Sequence, residues 1–227
     1  MNDIKLSKRL STAASFVRSG AFVADIGTDH AYLPIYLVAS GKARGALASD
    51  INKGPIKTAQ ENIAKHCLEK SIFTQIANGL EGIEKYEPTD IVICGMGGEL
   101  IARILDDSRY IKNSEIRLIL QPMTSVFELR EYLANGFYTI AENVVSEDGK
   151  LYQIICAMYD GKEHSYTRAE LELGKLNIEG RSEEFMLLLN STIAKKQKRL
   201  NGLRLGGYDT CQVEAELKEL EDIKNDI

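Results

Sequence analysis

Several short stretches of this sequence combine residue types suited to holding a nucleotide-like ligand. The richest is Asp25-Ile26-Gly27-Thr28-Asp29-His30-Ala31-Tyr32-Leu33-Pro34, which directly follows an apolar run. Others are Asp50-Ile51, Asn78-Gly79 and Gly95-Met96-Gly97-Gly98. A pyrophosphate needs a cradle of free backbone amides, the G-x-G-x-x-G pattern. Here Gly27 stands alone with Asp25 before it, and a carboxylate repels pyrophosphate. The same carboxylate accepts hydrogen bonds, directly or through water, from the ammonium of a methionine moiety. This choice of charge predicts S-adenosyl-L-methionine rather than NAD as cofactor. Asp50 suits the two hydroxyls of a ribose. Asn78-Gly79 suits the edge of an adenine, and Ile51 its face. The glycines at 95–98 permit close approach of backbone and substrate, so methyl donor and acceptor are expected to meet there.

An aspartate at a strand end also serves as a helix N-cap, and glycine loops also merely turn the chain. Recurrence at four consecutive strand ends is what points to one cleft. Apolar runs predict strands over 22–26, 45–49, 72–76, 90–94 and 117–120, alternating with helices over 31–39, 55–66 and 126–134. A leading helix over 4–17 places Leu6, Leu10, Ala13, Ala14 and Val17 on one face and Lys8, Arg9 and Arg18 mostly on the other. Two β-rich runs, 138–145 and 151–158, flank Asp148-Gly149 and predict an antiparallel hairpin. The expected fold is therefore α/β: a mostly parallel seven-stranded sheet closing in an antiparallel hairpin, the class I (Rossmann-like) methyltransferase ending.

Past Gly161 the chain turns to long polar helices. Met186, Leu189, Ile193, Leu200 and Leu203 form one near-heptad seam, interrupted at Lys196, and Val213, Leu217, Leu220 and Ile227 form a second. Gly206-Gly207 breaks the helix between them, predicting a self-contained antiparallel helical hairpin. The domain division expected is 1–160 for the catalytic unit and 161–227 for a helical, coiled-coil-like unit.

Composition narrows the class. Hydrophobic residues make up 44% and charged residues 27%, which favours neither disorder nor a membrane life. No apolar run approaches the length of a bilayer span, and the N-terminus lacks the core of a secretory signal, so a cytoplasmic protein is expected. Cys67, Cys94, Cys156 and Cys211 are scattered and the three histidines supply no ligand-spaced cluster, so neither disulfide nor metal is expected. A net charge of −5 disfavours a globally basic nucleic-acid coat but leaves room for a local basic face. Nothing here fixes the oligomeric state.

The motifs LSKRL (6–10), DIGTDHAYLP (25–34), NGL (78–80), GMGG (95–98) and LILQP (118–122) together resemble the bacterial TrmK family, the tRNA (adenine-22-N1)-methyltransferases. The resemblance covers most of residues 1–160. It implies S-adenosyl-L-methionine as cofactor, an adenine N1 in the tRNA D-arm as acceptor, and a coiled-coil-like C-terminal domain. One departure is Met123, which stands after Gln121-Pro122 where the family pattern has asparagine. The cofactor set expected is Arg9, Asp25, Gly27, Thr28, Tyr32, Asp50, Ile51, Asn78, Gly79, Gly95, Met96 and Gly97. The catalytic pair expected is Asp29, accepting a hydrogen bond from the base's exocyclic amine, and His30, supporting it or serving as a helix-start residue. Lys5, Lys8, Arg9 and Arg18, with Lys195, Lys196, Lys198, Arg199 and Arg204, are the candidate phosphate contacts. The alternatives are a methyltransferase for a small molecule or another RNA, a nicotinamide-dependent oxidoreductase, and a non-catalytic RNA-binding protein.

Overall fold

The computed structural model describes residues 4–226. Its strands are β1 (Ala21–Ile26), β2 (Ala43–Asp50), β3 (Ile72–Ile76), β4 (Asp90–Met96), β5 (Arg117–Pro122), β6 (Asn135–Glu147) and β7 (Lys150–Glu163). Among the described residues they form one seven-stranded sheet of order β3-β2-β1-β4-β5-β7-β6. The pairings from β3 through β5 are parallel, and β7 runs antiparallel to both β5 and β6.

Helices cover both faces, which is why the inner strands read as unbroken apolar runs. Val23, Val92, Ile119 and Ile154 face a core shared with α1 (Lys8–Phe16), α2 (Tyr32–Ala39) and α3 (Lys53–Lys65). Their neighbours Ala24, Ile91, Ile93, Leu118, Leu120 and Ile155 face the opposite core, built with α4 (Gly98–Asp106) and α5 (Val126–Leu133). The hairpin is longer than its apolar stretches, and Asp148 and Gly149 turn it with φ of 50° and 73°, the left-handed pair of a tight primed turn.

The leading helix is shorter than its periodicity suggested. It starts at Lys8, because Ser7 is extended at φ −62° and ψ 160°, while Ile4 and Leu6 pack on the core ahead of it. Arg18, just beyond it, does not belong to a phosphate-binding face. Its Nε donates to Asp90 Oδ1 at 2.7 Å and its Nη2 to the Thr89 and Glu115 carbonyls, pinning the opening end of β4.

The C-terminal part comprises α6 (Arg168–Leu173), α7 (Lys175–Gly180), α8 (Glu183–Leu205) and α9 (Cys211–Asn225). Helices α8 and α9 pair across the Gly206-Gly207 break, with Leu200, Val213 and Leu217 buried between them. They are not self-contained, however: Phe185, Leu189, Leu173 and Leu220 share a core with Val144 of β6. Phe185 and Thr192 are buried off the expected seam, and Ile227 lies outside the described residues. Lys196 is no simple interruption, since its Nζ lies 2.8 Å from both Glu172 and Glu216 and its side chain is only 12% exposed. The buried Arg130 of α5 fastens this part to the sheet. It donates to Glu142 of β6, Gln153 of β7 and the carbonyls of Leu171 and Glu172, which end α6.

Candidate active site

Strand order reverses between β1 and β4, so the loops leaving their carboxyl ends diverge and open a crevice, the usual ligand position of such sheets. A cavity of about 380 Å³ lies there, lined by Arg9, Asp25, Gly27, Thr28, Asp29, His30, Tyr32 and Gly95 among others. The structure thus brings the α1 arginine, the first loop and the fourth strand end together.

Gly27 holds φ 76° while its N–H donates to Ser49 O at 2.8 Å, folding the loop back over β2. The positive φ is what calls for glycine; a Cβ there would also press on Met96 Cε, the free end of a flexible side chain. Gly95, at φ 84°, sits where the β4–β5 register slips between Cys94 and Met96. This bulge re-aims the end of β4.

Asp25 is buried on the cavity wall, and burial pushes its carboxyl up to about 6, with the Thr28 side chain pulling the other way. Arg9 reaches the same cavity. Its Nη1 donates to Gln121 Oε1 at 2.8 Å, and its guanidinium lies 5.9 Å from the centre of the Tyr152 ring. A carboxylate and a guanidinium on one cavity suit a zwitterionic amino-acid head group, ammonium to Asp25 and carboxylate to Arg9.

On the rim, His30 Nε2 is 3.0 Å from Asp29 Oδ2, and the His30 ring stacks on Tyr32 at 5.1 Å. Asp29 stays 75% exposed, so its carboxylate is open to solvent at the cavity rim. Met123 is also exposed, and its N–H donates to Met96 O at 2.8 Å, setting the exit of β5 beside that of β4. Gly97 precedes α4 as its N-cap.

The remaining expected residues stand apart. Asp50 ends β2 as anticipated, but its Oδ1 accepts from Asn52 N at 2.7 Å, leaving Oδ2 without a donor among the described residues. Ile51 is 60% exposed beside it. Asn78 and Gly79 line a separate cavity of about 680 Å³ with Ile104, Asp107 and Tyr110. Leu10 and Cys94 line the first cavity without having been singled out, and burial pushes the Cys94 thiol well above its ordinary value. Gln121, known only as part of the LILQP motif, and Glu147 grip Arg9, a contact that was not expected. No periodicity or motif ties residues 112 and 138 positions apart to one another.

The basic surface contracts. Arg9 turns into the cavity, and Arg204 Nη2 lies 2.8 Å from Glu214. Lys5, Lys8, Lys195, Lys198 and Arg199 remain exposed. Among the described residues no group of three His, Cys, Asp or Glu is placed to hold a metal ion, and no helix is long and apolar enough to cross a membrane.

Residues 6–155 match the methyltransferase domain family. The tRNA (adenine(22)-N(1))-methyltransferase of Bacillus subtilis is 42% identical over 78% of this chain and 74% of its own length. A Streptococcus pneumoniae protein solved in complex with S-adenosyl-L-methionine superposes with a TM-score of 0.85 at 32% identity, covering 96% of this chain and 99% of that one. M. capricolum TrmK, solved with S-adenosyl-homocysteine, gives a TM-score of 0.82 at 30% identity over 96% and 98%.

Proposed function

The chain belongs to the tRNA (adenine(22)-N(1))-methyltransferase family, and on that footing we propose that it transfers a methyl group from S-adenosyl-L-methionine to N1 of adenine 22 in the D-arm of bacterial tRNA. The observation that carries this reading is the pairing of Asp25 with Arg9 on one cavity at the β1/β4 switch. A tRNA substrate places the work in the cytoplasm.

When bound, S-adenosyl-L-methionine supplies an electrophilic sulfonium methyl. Asp25 holds its ammonium and Arg9 its carboxylate, while the loop through Gly27 and Thr28 and the strand end at Gly95-Met96-Gly97 shape the walls. A cofactor reaching beyond the first cavity would meet Asp50 with its ribose hydroxyls, Ile51 with its adenine face and, at the neighbouring cavity, Asn78-Gly79 with its adenine edge. Neutral adenine already carries a lone pair on N1, so the protein need not remove a proton before attack. Its task is alignment and stabilisation of the positive charge that develops on the purine. Asp29 does this by accepting from the exocyclic amine, with His30 and Tyr32 holding it in place.

Calorimetry tests the cofactor assignment. S-adenosyl-L-methionine is expected to bind and NAD not to, and Asp50→Ala should weaken binding by about 1 to 3 kcal/mol, the scale of a charged hydrogen bond. Tight NAD binding would contradict the reading, and unchanged affinity in Asp50→Ala would reduce that side chain to its bond with Asn52.

N1 lies on the pairing edge, so the target base must be unpaired or flipped, and the tRNA must be held by shape and phosphates. We assign catalysis to residues 1–160 and part of the RNA grip to the helices of 161–227. Replacing Lys195, Lys198 and Arg199 with glutamine should weaken tRNA binding and flatten the slope of log affinity against log salt by roughly two to three, since each neutralised phosphate releases counterions. Filter binding across a salt series measures this. An unchanged slope would place the RNA elsewhere.

A further inference from the structure

Arg9 is held in its place by residues that never enter the cavity. Helix α1 begins one residue earlier, and its N-cap, Ser7, makes no side-chain capping bond, so the amides of the first turn lack a local acceptor. The acceptor comes from the tip of the β6–β7 hairpin: Glu147 Oε2 takes the Arg9 N–H at 2.8 Å, across 138 residues of sequence. The other oxygen of the same carboxylate lies 3.7 Å from Arg9 Nε. One side chain therefore fixes both the backbone and the head group of Arg9. A negative charge at this helix N-terminus is favourable in its own right.

The far end of Arg9 is gripped by Gln121, which is completely buried. Its Nε2 donates to Pro122 O at 2.9 Å, so its Oε1 must face Arg9, and turning the amide over would lose both bonds. With Gln121 holding Nη1, the other guanidinium amine, Nη2, has no acceptor among the described residues. Gly95 lies against the same head group: a Cβ there would stand in van der Waals contact with Nη1, at 3.8 Å. Such an arginine is a preorganised receptor for a carboxylate, because it gives up little side-chain freedom when the ligand arrives.

We propose that Glu147 is a positioning residue for cofactor binding, holding Arg9 in the orientation that receives the carboxylate of S-adenosyl-L-methionine. The inference rests on the assignment of Arg9 to that carboxylate. It makes the hairpin tip part of the cofactor site, although Glu147 touches no ligand.

Calorimetry with S-adenosyl-L-methionine on the full chain, for the parent, Arg9→Ala, Glu147→Ala, Glu147→Gln and the double alanine variant, tests it. Glu147→Ala should weaken affinity by about tenfold, and Glu147→Gln, which keeps an acceptor for the Arg9 amide, by less. The double variant should bind no worse than Arg9→Ala alone, because Glu147 acts only through Arg9. Thermal melts of each variant accompany the titrations, and if Glu147→Ala melts below the assay temperature the comparison is made on Glu147→Gln, alone and with Arg9→Ala. Unchanged affinity in the Glu147 variants overturns the proposal, as do losses that add in the double variant, which would show a contribution through the scaffold. Parent-like binding by Arg9→Ala removes Arg9 from the site and the proposal with it. Absence of binding by the parent would instead strike at the functional reading.

Discussion

Asp29→Ala is expected to cut methyl transfer to tRNA by about 100-fold in single turnover, the scale seen when one preorganised electrostatic contact to a transition state is lost, while cofactor affinity stays within a few-fold. The carboxylate is 75% exposed and lies 3.0 Å from His30, whose ring rests on Tyr32. It is oriented at the cavity rim rather than sunk into the wall like Asp25. Methylation turns a neutral adenine into a cation, so an acceptor on its amine gains strength as the reaction proceeds, and that difference lowers the barrier. Loss of rate without loss of cofactor binding is the signature of a contact made only in the transition state. Equal losses in calorimetry and in single-turnover rate would move Asp29 into the cofactor shell.

Asp25→Asn should produce opposite effects on stability and binding. Burial penalises the charge and pushes the carboxyl up to about 6 from its ordinary 3.8. Stability contributed by this group is therefore fully present below about 3.8 and lost as pH rises through about 6, so the ionised form is a net cost at neutral pH. The cost is on the order of 1–3 kcal/mol. Asparagine removes it: melting temperature should rise at pH 7.5, and the advantage should fade in acid once the parent aspartate is protonated. Affinity for S-adenosyl-L-methionine should fall at least about tenfold, because an amide offers the ammonium no charge. In the parent, binding should weaken as pH drops through about 6, where Asp25 takes up a proton. A variant that melts lower at pH 7.5 and binds as before would show that Asp25 serves the fold and not the ligand.

The sheet was legible because two-sided burial leaves unbroken apolar runs at strand length, and β3 matched its run end to end. Strand ends were harder to see. The β6–β7 pairing continues to Asn135 and Glu163, whose side chains give no strand signal. Helix α4 was hidden behind Gly97 and Gly98, and α6 and α7 are too short to show a period. Among the candidates at strand ends, Asp25, Gly27, Thr28 and Gly95 come to one cavity because β1 and β4 are neighbours, whereas Asn78 and Gly79, after the edge strand β3, line another. The grip on Arg9 could not be read, since Gln121 and Glu147 come from β5 and the hairpin tip. The same reason led Arg18 and Lys196 to be counted as free cations: Asp90, Glu172 and Glu216, which neutralise them, are distant in sequence.

The central claim is tested most directly by incubating the purified protein with S-adenosyl-L-methionine and unmodified bacterial tRNA, then digesting the tRNA to nucleosides for mass spectrometry. The expected product is 1-methyladenosine, absent when the tRNA carries guanosine in place of adenosine at position 22. Formation of a different methylated nucleoside, or of 1-methyladenosine undiminished by that replacement, would contradict the account.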